Sequence, residues 1–389
     1  MKILLVSNYQ PPHMGGIEFA AEALKDCWEA DGHEVTWVTS DLPEGARPST
    51  PANVRIRCWN GLEDSFQINT PIPWPGQRAQ IRDLVVGHDA VNTHSLAPGL
   101  TVMLMKEALR RKKPLVVTQH VAVIPLKLAF LSLLQKAVIC AMARKAVRGG
   151  ARLTFVGQAV RDWFMAEAGV KPEQIAMTPA GINQTTYSFV TAEERKVLRA
   201  KWQLNDLTLN LLFVGRFYDK KGLQLIRELA EVEPQMKFTL VGGGPIQPGA
   251  WGLNNVRVID FVTSEDLREL YGAHDLFLMP SYGEGWPAVI PQAMICGTRC
   301  LISEECFSGY HRDPEQFVVV KRNLEALRDA LREQRHQLPV QESDRIARSA
   351  YAAATWNWTT TARIYIDLFR QLGAHDGDRF NPASSTACT

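Results

Sequence analysis

Two cations follow a short apolar run in the second half of the chain. Arg216 stands just after the run Leu209–Val214, and Lys221 stands where a helix is expected to begin. If the run is a strand, both side chains reach one point above the sheet, where a guanidinium fork and a mobile ammonium suit a departing diphosphate. The alternative is that both are solvated surface cations.

A carboxylate, Glu284, lies in a glycine-rich turn between an apolar run ending at Met279 and a helix expected over 287–296. Backbone amides at a helix N-terminus favour anions, and a carboxylate beside them can accept the hydroxyls of a polyol. The pattern is suited to a sugar attached to a phosphate. The alternative is that Glu284 only completes the loop.

Two glycine clusters stand at expected strand or helix ends. Gly15 and Gly16 directly precede a helix, where glycine lets backbone N–H groups approach an anion, so they are a candidate phosphate site. Gly242–Gly244 follow a strand and precede Pro245. An ordinary loop and a plain tight turn are the alternatives. The first loop has no G-x-G-x-x-G and the chain no G-x-x-x-x-G-K-[ST], which argues against a dinucleotide-binding dehydrogenase and a P-loop nucleotidase.

Three histidines are candidates for contacts in the first half of the chain. His120 follows the expected strand 115–118, where a ring N–H or an imidazolium can stabilise developing charge. A buried histidine with satisfied hydrogen bonds is the alternative. His94 ends another expected strand, but we expect no part for it in acceptor binding. His13 has weaker support.

Short apolar runs alternate with segments of helical period in two successive series. In the first series, strands are expected at 3–7, 34–39, 90–93, 115–118 and 153–156, with helices near 17–30, 100–111 and 125–147. In the second series, strands are expected at 209–214, 238–241, 256–261, 276–279 and 299–302, with helices at 222–230, 264–271 and 287–296.

This alternation predicts an α/β protein with two doubly wound, Rossmann-like parallel sheets. Ligands bind at the carboxyl ends of such strands, so we expect the two domains to face a central cleft that holds the active site. The expected division is a first domain at 1–183, a second at 184–355, a C-terminal helix at 356–373 packing back on the first domain, and a disordered tail at 374–389.

Composition excludes several other classes of protein. The 389 residues are 46% hydrophobic, which suffices for two ordinary cores. Lys and Arg total 43 against 41 Asp and Glu, so the net charge of +2 gives no electrostatic case for a nucleic-acid binder. The 7 cysteines are scattered without a C-x-x-C pair, which argues against a disulfide framework and a zinc site.

The protein is expected to be cytoplasmic. The apolar run at residues 3–6 is too short for a signal peptide. The longest apolar stretch, 121–143, is interrupted by Pro125, Lys127 and Lys136, so it falls short of the roughly 20 apolar residues of a transmembrane helix.

The motifs together resemble those of the GT-B glycosyltransferases, and most closely those of the retaining glycosyltransferase family 4, the glycosyl transferases group 1. They occur in the family's order over about residues 1–302. The shared signals are Gly15-Gly16, Pro179–Asn183, Gly215-Arg216 with Lys221-Gly222, Gly242–Pro245, and Pro280-Ser281 followed by Glu284-Gly285 and Ala293-Met294.

The resemblance implies a retaining transfer of a sugar from a nucleoside diphosphate sugar to a saccharide or lipid-linked acceptor, in glycan or cell-envelope biosynthesis. It implies no cofactor and no required metal. Arg216 and Lys221 would neutralise the diphosphate, Glu284 would hold the sugar, and His120 would contact it. The implied donor or substrate contacts are Gly15, Gly16, Gly243, Trp286, Pro287, Ala288 and Gln292.

The chain departs from the family pattern at two places. Gln292 stands where the family has a second acid that contacts the ribose; an amide oxygen still accepts a hydroxyl, but the charge is lost. Pro287, in the altered stretch 286–289, lacks a backbone N–H. Two other functions therefore stay open: a catalytically silent nucleotide-sugar-binding subunit and a nucleotide-sugar epimerase of similar fold.

The segment 121–148 has two interpretations. It is apolar with interspersed lysines and arginines, as expected of a core helix in the first domain. The same pattern suits a basic and apolar face that docks on an anionic membrane near a lipid-linked acceptor. In that case the protein would lie peripherally on the inner face of the cell membrane.

Overall fold

The computed structural model describes residues 1–10, 16–42, 49–61, 70–123, 129–282, 284–310 and 313–378. The chain divides into two compact units. The first comprises Met1–Ala180 together with the chain from Trp358 onward, and the second comprises Gly181–Asn357.

The first unit is built on a parallel sheet. The strands of the unit are β1 Lys2–Val6, β2 Glu34–Ser40, β3 Asn53–Ile56, β4 Cys58–Trp59, β5 Ile72–Pro73, β6 Ala90–His94, β7 Leu115–Gln119, β8 Arg152–Phe155 and β9 Ile175–Met177. Among the described residues, seven of them pair in the order β3-β2-β1-β6-β7-β8-β9, all parallel. β4 and β5 form a separate antiparallel pair.

Helices cover both faces of this sheet. They are α1 Gly16–Ala30, α2 Arg78–Val86, α3 Leu100–Arg110, α4 Ala129–Arg148, α5 Gln158–Ala168, and the C-terminal helix Trp358–Asp378. Successive side chains of a strand point to opposite faces. Ile3 and Leu5 therefore pack with α1 and the C-terminal helix, whereas Leu4 and Val6 join the core on the other face.

The C-terminal helix is an integral part of the first unit's core. Trp28 of α1 is fully buried, and its indole N–H donates to the carbonyl of Ala362 at 3.1 Å. The rings of Tyr365 and Phe369 lie edge-on to it, with centroids at 5.7 and 6.1 Å. Tyr365 is also buried, and its hydroxyl reaches Thr118 of β7 at 2.9 Å.

The second unit repeats the architecture. Its strands are β10 Asn210–Val214, β11 Lys237–Val241, β12 Val256–Ile259, β13 Leu276–Met279, β14 Arg299–Ser303 and β15 Val318–Val320. In the described part of this unit, the six strands pair in the order β12-β11-β10-β13-β14-β15, all parallel. The helices are α6 Ala192–Lys201, α7 Leu223–Val232, α8 Ser264–Ala273, α9 Val289–Ile295, α10 Glu304–Phe307, α11 Leu324–His336 and α12 Glu342–Thr355.

The predicted α/β fold class with two doubly wound sheets is confirmed, but several elements were missed. β3, β9 and β15 are only three or four residues long. Helix α2 buries just Ile81 and Val85, and α11 has a narrow buried face that includes Leu327 and Leu331. Such elements show too few apolar residues in sequence for their period to stand out.

Three helix boundaries differ from those expected. The helix expected from 125 is described from Ala129, because residues 124–128 lie outside the described ranges. Helix α9 begins at Val289 instead of Pro287. The C-terminal helix continues to Asp378, past the tail start expected at 374, since an isolated glycine such as Gly373 costs a helix only about 1 kcal/mol. Residues 379–389 lie outside the described ranges.

Helix α4 has core residues in its C-terminal half and exposed apolar residues in its N-terminal half. Ile139 and Ala143 belong to the first unit's core. Phe130, Leu133 and Leu134 are instead 64%, 68% and 57% exposed. Of the helices in the described ranges, none combines the length and the apolar character needed to cross a membrane.

Replacing Trp28 with alanine is expected to lower the free energy of unfolding by about 3–5 kcal/mol, because it opens a cavity between α1 and the C-terminal helix. Phe19→Ala on α1 is the matched control, since that ring is 50% exposed and its loss should cost less than about 1 kcal/mol. Urea denaturation followed by circular dichroism measures both, and equal losses would contradict the prediction.

Candidate functional site

The candidate residues of the second unit follow three adjacent parallel strands. Arg216 lies two residues after β10, Gly243 two residues after β11, and Glu284 five residues after β13. Because β11 and β13 both pair with β10 in parallel, these strands end at the same edge of the sheet. Such an edge is where open α/β sheets bind ligands.

Glycines bring the loops after β10 and β11 together. Gly242 has φ +136°, and a Cβ atom there would lie 2.1 Å from the carbonyl oxygen of Gly215. The N–H of Phe217 donates to the carbonyl of Gly243 at 2.8 Å. A Cβ at Gly244 would lie 2.6 Å from the carbonyl oxygen of Phe217. The backbone packing alone therefore explains why Gly242 and Gly244 are glycines.

A second glycine contact brings the loop after β10 against the end of β13. Gly222 has φ +76°, and its Cβ would lie 2.2 Å from the carbonyl oxygen of Pro280. The N–H of Tyr282 also donates to the carbonyl of Lys220 at 2.9 Å. This approach carries Lys221, the last residue of a short 3-10 turn from Asp219, toward the turn that holds Glu284.

Lys221 and Glu284 form an ion pair. Lys221 Nζ lies 2.9 Å from Glu284 Oε1, and the two side chains are only 13% and 10% exposed. Oε1 itself makes no aligned hydrogen bond with any residue in the described ranges. The carboxylate therefore keeps hydrogen-bonding capacity for a ligand, at a place where leaving it unused costs free energy.

Arg216 differs from Lys221 in its surroundings. Its side chain is exposed, and its guanidinium lies 5.4 Å from the ring centroid of Tyr218. Within the described part of the chain, no carboxylate forms an ion pair with it. The two predicted diphosphate ligands thus comprise one unpaired exposed cation and one shielded cation that already has a partner.

Gln292 hydrogen-bonds to a buried tyrosine. The hydroxyl of Tyr271 donates to Gln292 Oε1 at 3.3 Å, which uses one lone pair of the amide oxygen. Burial raises the pKa of Tyr271 well above its usual value, so the phenol stays protonated as the donor. Gln292 is half-buried and Ala288 is exposed.

Trp286 and Pro287 lie against another buried tyrosine, Tyr310. The Tyr310 hydroxyl donates to the carbonyl of Pro287 at 2.6 Å, and its ring centroid lies 6.0 Å from that of Trp286. The turn between Glu284 and α9 is therefore fixed by Tyr310. Sequence reasoning missed both Tyr271 and Tyr310, because each belongs to a core whose members are far apart in sequence.

In the first unit, the structure brings His120 and His94 into contact. His94 Nδ1 lies 3.0 Å from His120 Nε2, and the rings stack with centroids 5.2 Å apart. Burial lowers the pKa of His120 to about 4 and that of His94 well below its usual value. Both rings are therefore neutral at neutral pH, so the imidazolium considered from the sequence is not available.

The glycine site of the first loop is only partly described. Gly15 lies outside the described residues. Gly16 is the first residue of α1, and among the described atoms none lies within 4 Å of a Cβ built on it. The predicted phosphate contacts of Gly15 and Gly16 stay predictions.

Two family models match the chain. The model described as Glycosyltransferase Family 4 matches residues 14–185, and the model described as Glycosyl transferases group 1 matches residues 208–335. The first match lies mostly in the first unit and extends to residue 185, just past its boundary at Ala180, and the second match falls within the second unit.

Curated relatives include an alpha-galactosylglucosyldiacylglycerol synthase of Streptococcus pneumoniae, 29% identical over 34% of this chain and 38% of the relative. An uncharacterized glycosyltransferase of Methanocaldococcus jannaschii is 24% identical over 78% of this chain and 80% of the relative. The chain spans only 38%, 39% and 41% of the length of three of its curated relatives.

Solved structures with the same fold include a sucrose-phosphate synthase from Thermosynechococcus elongatus. It has a TM-score of 0.72 and 18% identity, over 96% of this chain and 99% of that one. Anabaena HepE in complex with UDP has a TM-score of 0.73 and 17% identity, over 95% of this chain and 100% of that one. At these identities the likeness shows the fold alone.

Gly222→Ala is expected to destabilise the second unit more than Gly252→Ala. Both glycines have a positive φ, +76° and +70°, so both variants pay a backbone penalty of about 1–2 kcal/mol. Only Gly222 also faces a carbonyl at 2.2 Å, whereas no described atom lies within 4 Å of a Cβ on Gly252. Thermal melts measure the difference, and equal melting temperatures would contradict the close approach of Gly222 to Pro280.

Proposed function

The chain belongs to the group 1 and family 4 glycosyltransferases with the GT-B fold, and we propose that it transfers a sugar from a nucleoside diphosphate sugar. The acceptor is a saccharide or a lipid-linked acceptor, and the anomeric configuration is retained. The pathway is glycan or cell-envelope biosynthesis. The observation that carries this proposal is the shielded Lys221–Glu284 pair, with Arg216 at the same sheet edge.

The pair offers complementary groups to the two halves of such a donor. Lys221 exchanges its carboxylate partner for a diphosphate oxygen, and Arg216 supplies a second positive charge. Glu284 then accepts hydrogen bonds from hydroxyls of the sugar, and Oε1 is one of the accepting atoms. Each group thus finds in the donor the partner type that it gives up in the pair, so the desolvation of both charges is compensated.

The proposed reaction forms one bond and breaks one. The bond between the sugar's anomeric carbon and the diphosphate oxygen breaks, and Arg216 and Lys221 stabilise the charge on the leaving group. The acceptor oxygen bonds to the same face of the sugar, and its proton passes to the departing diphosphate. The proposal includes no metal and no cofactor, because the two cations supply the positive charge that the leaving group needs.

The structural neighbours support a nucleotide donor. HepE is in complex with UDP, and in another structure with UDP-glucose. Gln292 keeps one lone pair of its amide oxygen for a ribose hydroxyl, beside the hydrogen bond from Tyr271. His120, Gly243, Trp286, Pro287 and Ala288 are proposed as further donor or substrate contacts.

Arg216→Ala and Lys221→Ala are each expected to lower turnover by a factor of about 100 or more, because each removes a preorganised charge at the leaving group. Lys237→Ala is the charge-matched control, since Lys237 is exposed at the start of β11. The donor is first identified by thermal shift with UDP, GDP, ADP and their sugar conjugates. A ligand at about 100 times its Kd raises the free energy of unfolding by about 2.7 kcal/mol.

Three outcomes of the binding and turnover measurements would contradict the proposal. Wild-type rates in both folded variants would remove Arg216 and Lys221 from the reaction. Binding of a donor without transfer to any saccharide would favour the silent binding subunit. Conversion of the donor's own sugar without an acceptor, followed by NMR, would identify an epimerase.

We also propose that exposed side chains of α4 rest on an anionic membrane surface. Phe130, Leu133 and Leu134 supply exposed apolar area, and Lys145 and Arg148 lie exposed in the last turn of the helix. Apolar area and positive charge together are what peripheral binding to anionic lipid requires. The membrane surface proposed here is the inner face of the cell membrane.

Flotation with vesicles tests this surface. The triple variant Phe130→Ser, Leu133→Ser, Leu134→Ser is expected to lose most binding to vesicles of phosphatidylglycerol and phosphatidylcholine, because it removes the apolar contribution. Leu207→Ser with Phe261→Ser is the control, since these side chains are 88% and 86% exposed in the second unit. Equal binding by wild type and triple variant would refute the membrane contact.

A further inference from the structure

A buried asparagine sets the direction of a hydrogen-bond chain in the first unit. Asn92 Nδ2 lies 3.1 Å from the carbonyl oxygen of Val116 and 3.0 Å from Thr118 Oγ1. A backbone carbonyl only accepts hydrogen bonds, so this end of the amide must be the NH₂ group. The other end, Oδ1, is therefore the acceptor that lies 2.9 Å from His94 Nε2.

The asparagine determines which nitrogen of each histidine carries the proton. His94 Nε2 must donate to Asn92 Oδ1, and because the buried ring is neutral, its Nδ1 is left as an acceptor. His120 Nε2, 3.0 Å from that Nδ1, must then carry a proton and donate it. The remaining nitrogen of His120, Nδ1, has a lone pair and no proton.

We propose that Asn92 and His94 are positioning residues that hold His120 with its proton on Nε2, so that Nδ1 accepts a hydrogen bond from a saccharide hydroxyl. Among the described residues, none hydrogen-bonds to His120 Nδ1. The saccharide as ligand rests on the proposed function, whereas the tautomer of His120 does not.

The loops after β6 and β7 are held firmly around this histidine pair. Ser95, directly after His94, has φ +118°, a strained value for a residue other than glycine. Its N–H donates to the carbonyl of Thr118 at 3.0 Å. Gln119 ties both loops, since Oε1 accepts from the N–H of Leu96 at 2.9 Å and Nε2 donates to the carbonyl of Val121 at 2.7 Å.

The chain of hydrogen bonds continues to the C-terminal helix. Thr118 Oγ1 accepts from Asn92 and from Thr154, the latter at 3.1 Å, so its own proton goes to the Tyr365 hydroxyl at 2.9 Å. Tyr365 in turn donates to Thr178 Oγ1 at 3.2 Å. The donor and the acceptor of each hydrogen bond in this chain are thereby assigned. The orientation of the Asn92 amide is fixed by the two acceptors of its NH₂ group, Val116 O and Thr118 Oγ1.

The low pKa of His120 limits what Nδ1 does in the reaction. A base is most effective when its pKa lies near the working pH, and a pKa of about 4 is far below that. Nδ1 therefore orients a hydroxyl without retaining its proton. This agrees with a transfer in which the acceptor proton ends on the departing diphosphate.

Long-range ¹H–¹⁵N correlation spectra of the full-length protein without ligand test the tautomers. We expect both His94 and His120 to carry the proton on Nε2. His88 and His274 are internal references with the opposite tautomer, because their Nδ1 atoms lie 2.6 and 2.7 Å from the carbonyl oxygens of Leu84 and Leu270. A wild-type His120 protonated on Nδ1 would overturn the proposal.

Two variants test whether the relay holds the tautomer. His94→Phe removes the acceptor of the His120 proton. Asn92→Leu removes the acceptor of the His94 proton, which favours moving it to Nδ1 because orphaned buried N–H groups are rare. In either variant we expect His120 to shift toward protonation on Nδ1, while His88 and His274 keep their signals. An unchanged His120 in both folded variants would refute the positioning role.

The contact with a hydroxyl is tested by two substitutions of His120. In His120→Asn the side-chain amide lies near the position of the histidine Nδ1, whereas in His120→Gln it lies near the position of Nε2. With the donor found by thermal shift, kcat/KM of His120→Gln is expected to be about tenfold below that of His120→Asn, for loss of one hydrogen bond. Equal values, or a higher value for His120→Gln, would contradict the contact. If the wild type transfers no sugar, the proposed function fails, and the spectra still decide the tautomer.

Discussion

The parallel direction of every strand pair in the two large sheets is the constraint on which the candidate sites depend. A parallel strand delivers the chain to the same edge as its neighbour, so residues far apart in sequence arrive side by side. In the second unit this places Arg216 and Glu284 near one edge, from β10 and β13. In the first unit it places His94 and His120 together, from β6 and β7. Neither arrangement requires a local sequence motif.

Close backbone contact converts this shared edge into defined geometry. The contact of Gly222 with Pro280 brings a lysine and a glutamate within ion-pair distance, although β11, β12 and β13 lie between them in the chain. Lys221 and Glu284 are therefore ion-paired with each other, and Arg216 takes no part in that pair. Pairing offsets part of the desolvation cost of a cation and a carboxylate that are both shielded from water.

The sequence sufficed for the fold class and for the strand ends, because buried parallel strands appear as short apolar runs between helical segments. It did not reveal that Lys221 contacts Glu284, since that depends on a backbone approach and not on residue types. His94 was also assigned no role from the sequence, although the structure places it against His120. A signal was present, because Asn92 and His94 lie two residues apart on a strand that is buried at every position. Buried polar side chains need hydrogen-bond partners. Finding Tyr365 as the far end of that network required the three-dimensional structure.

The C-terminal helix has a consequence for the order in which the protein is completed. Domains generally fold as units, N-terminal first, during synthesis. Here the core beside Ile3 and Trp28 includes Tyr365 and Phe369, which are translated after the whole of the second unit. The first unit therefore leaves the ribosome before the second, yet part of an apolar face of its sheet stays uncovered until the C-terminal helix has been translated. An incomplete chain that ends before Trp358 would expose that face to chaperones and proteases.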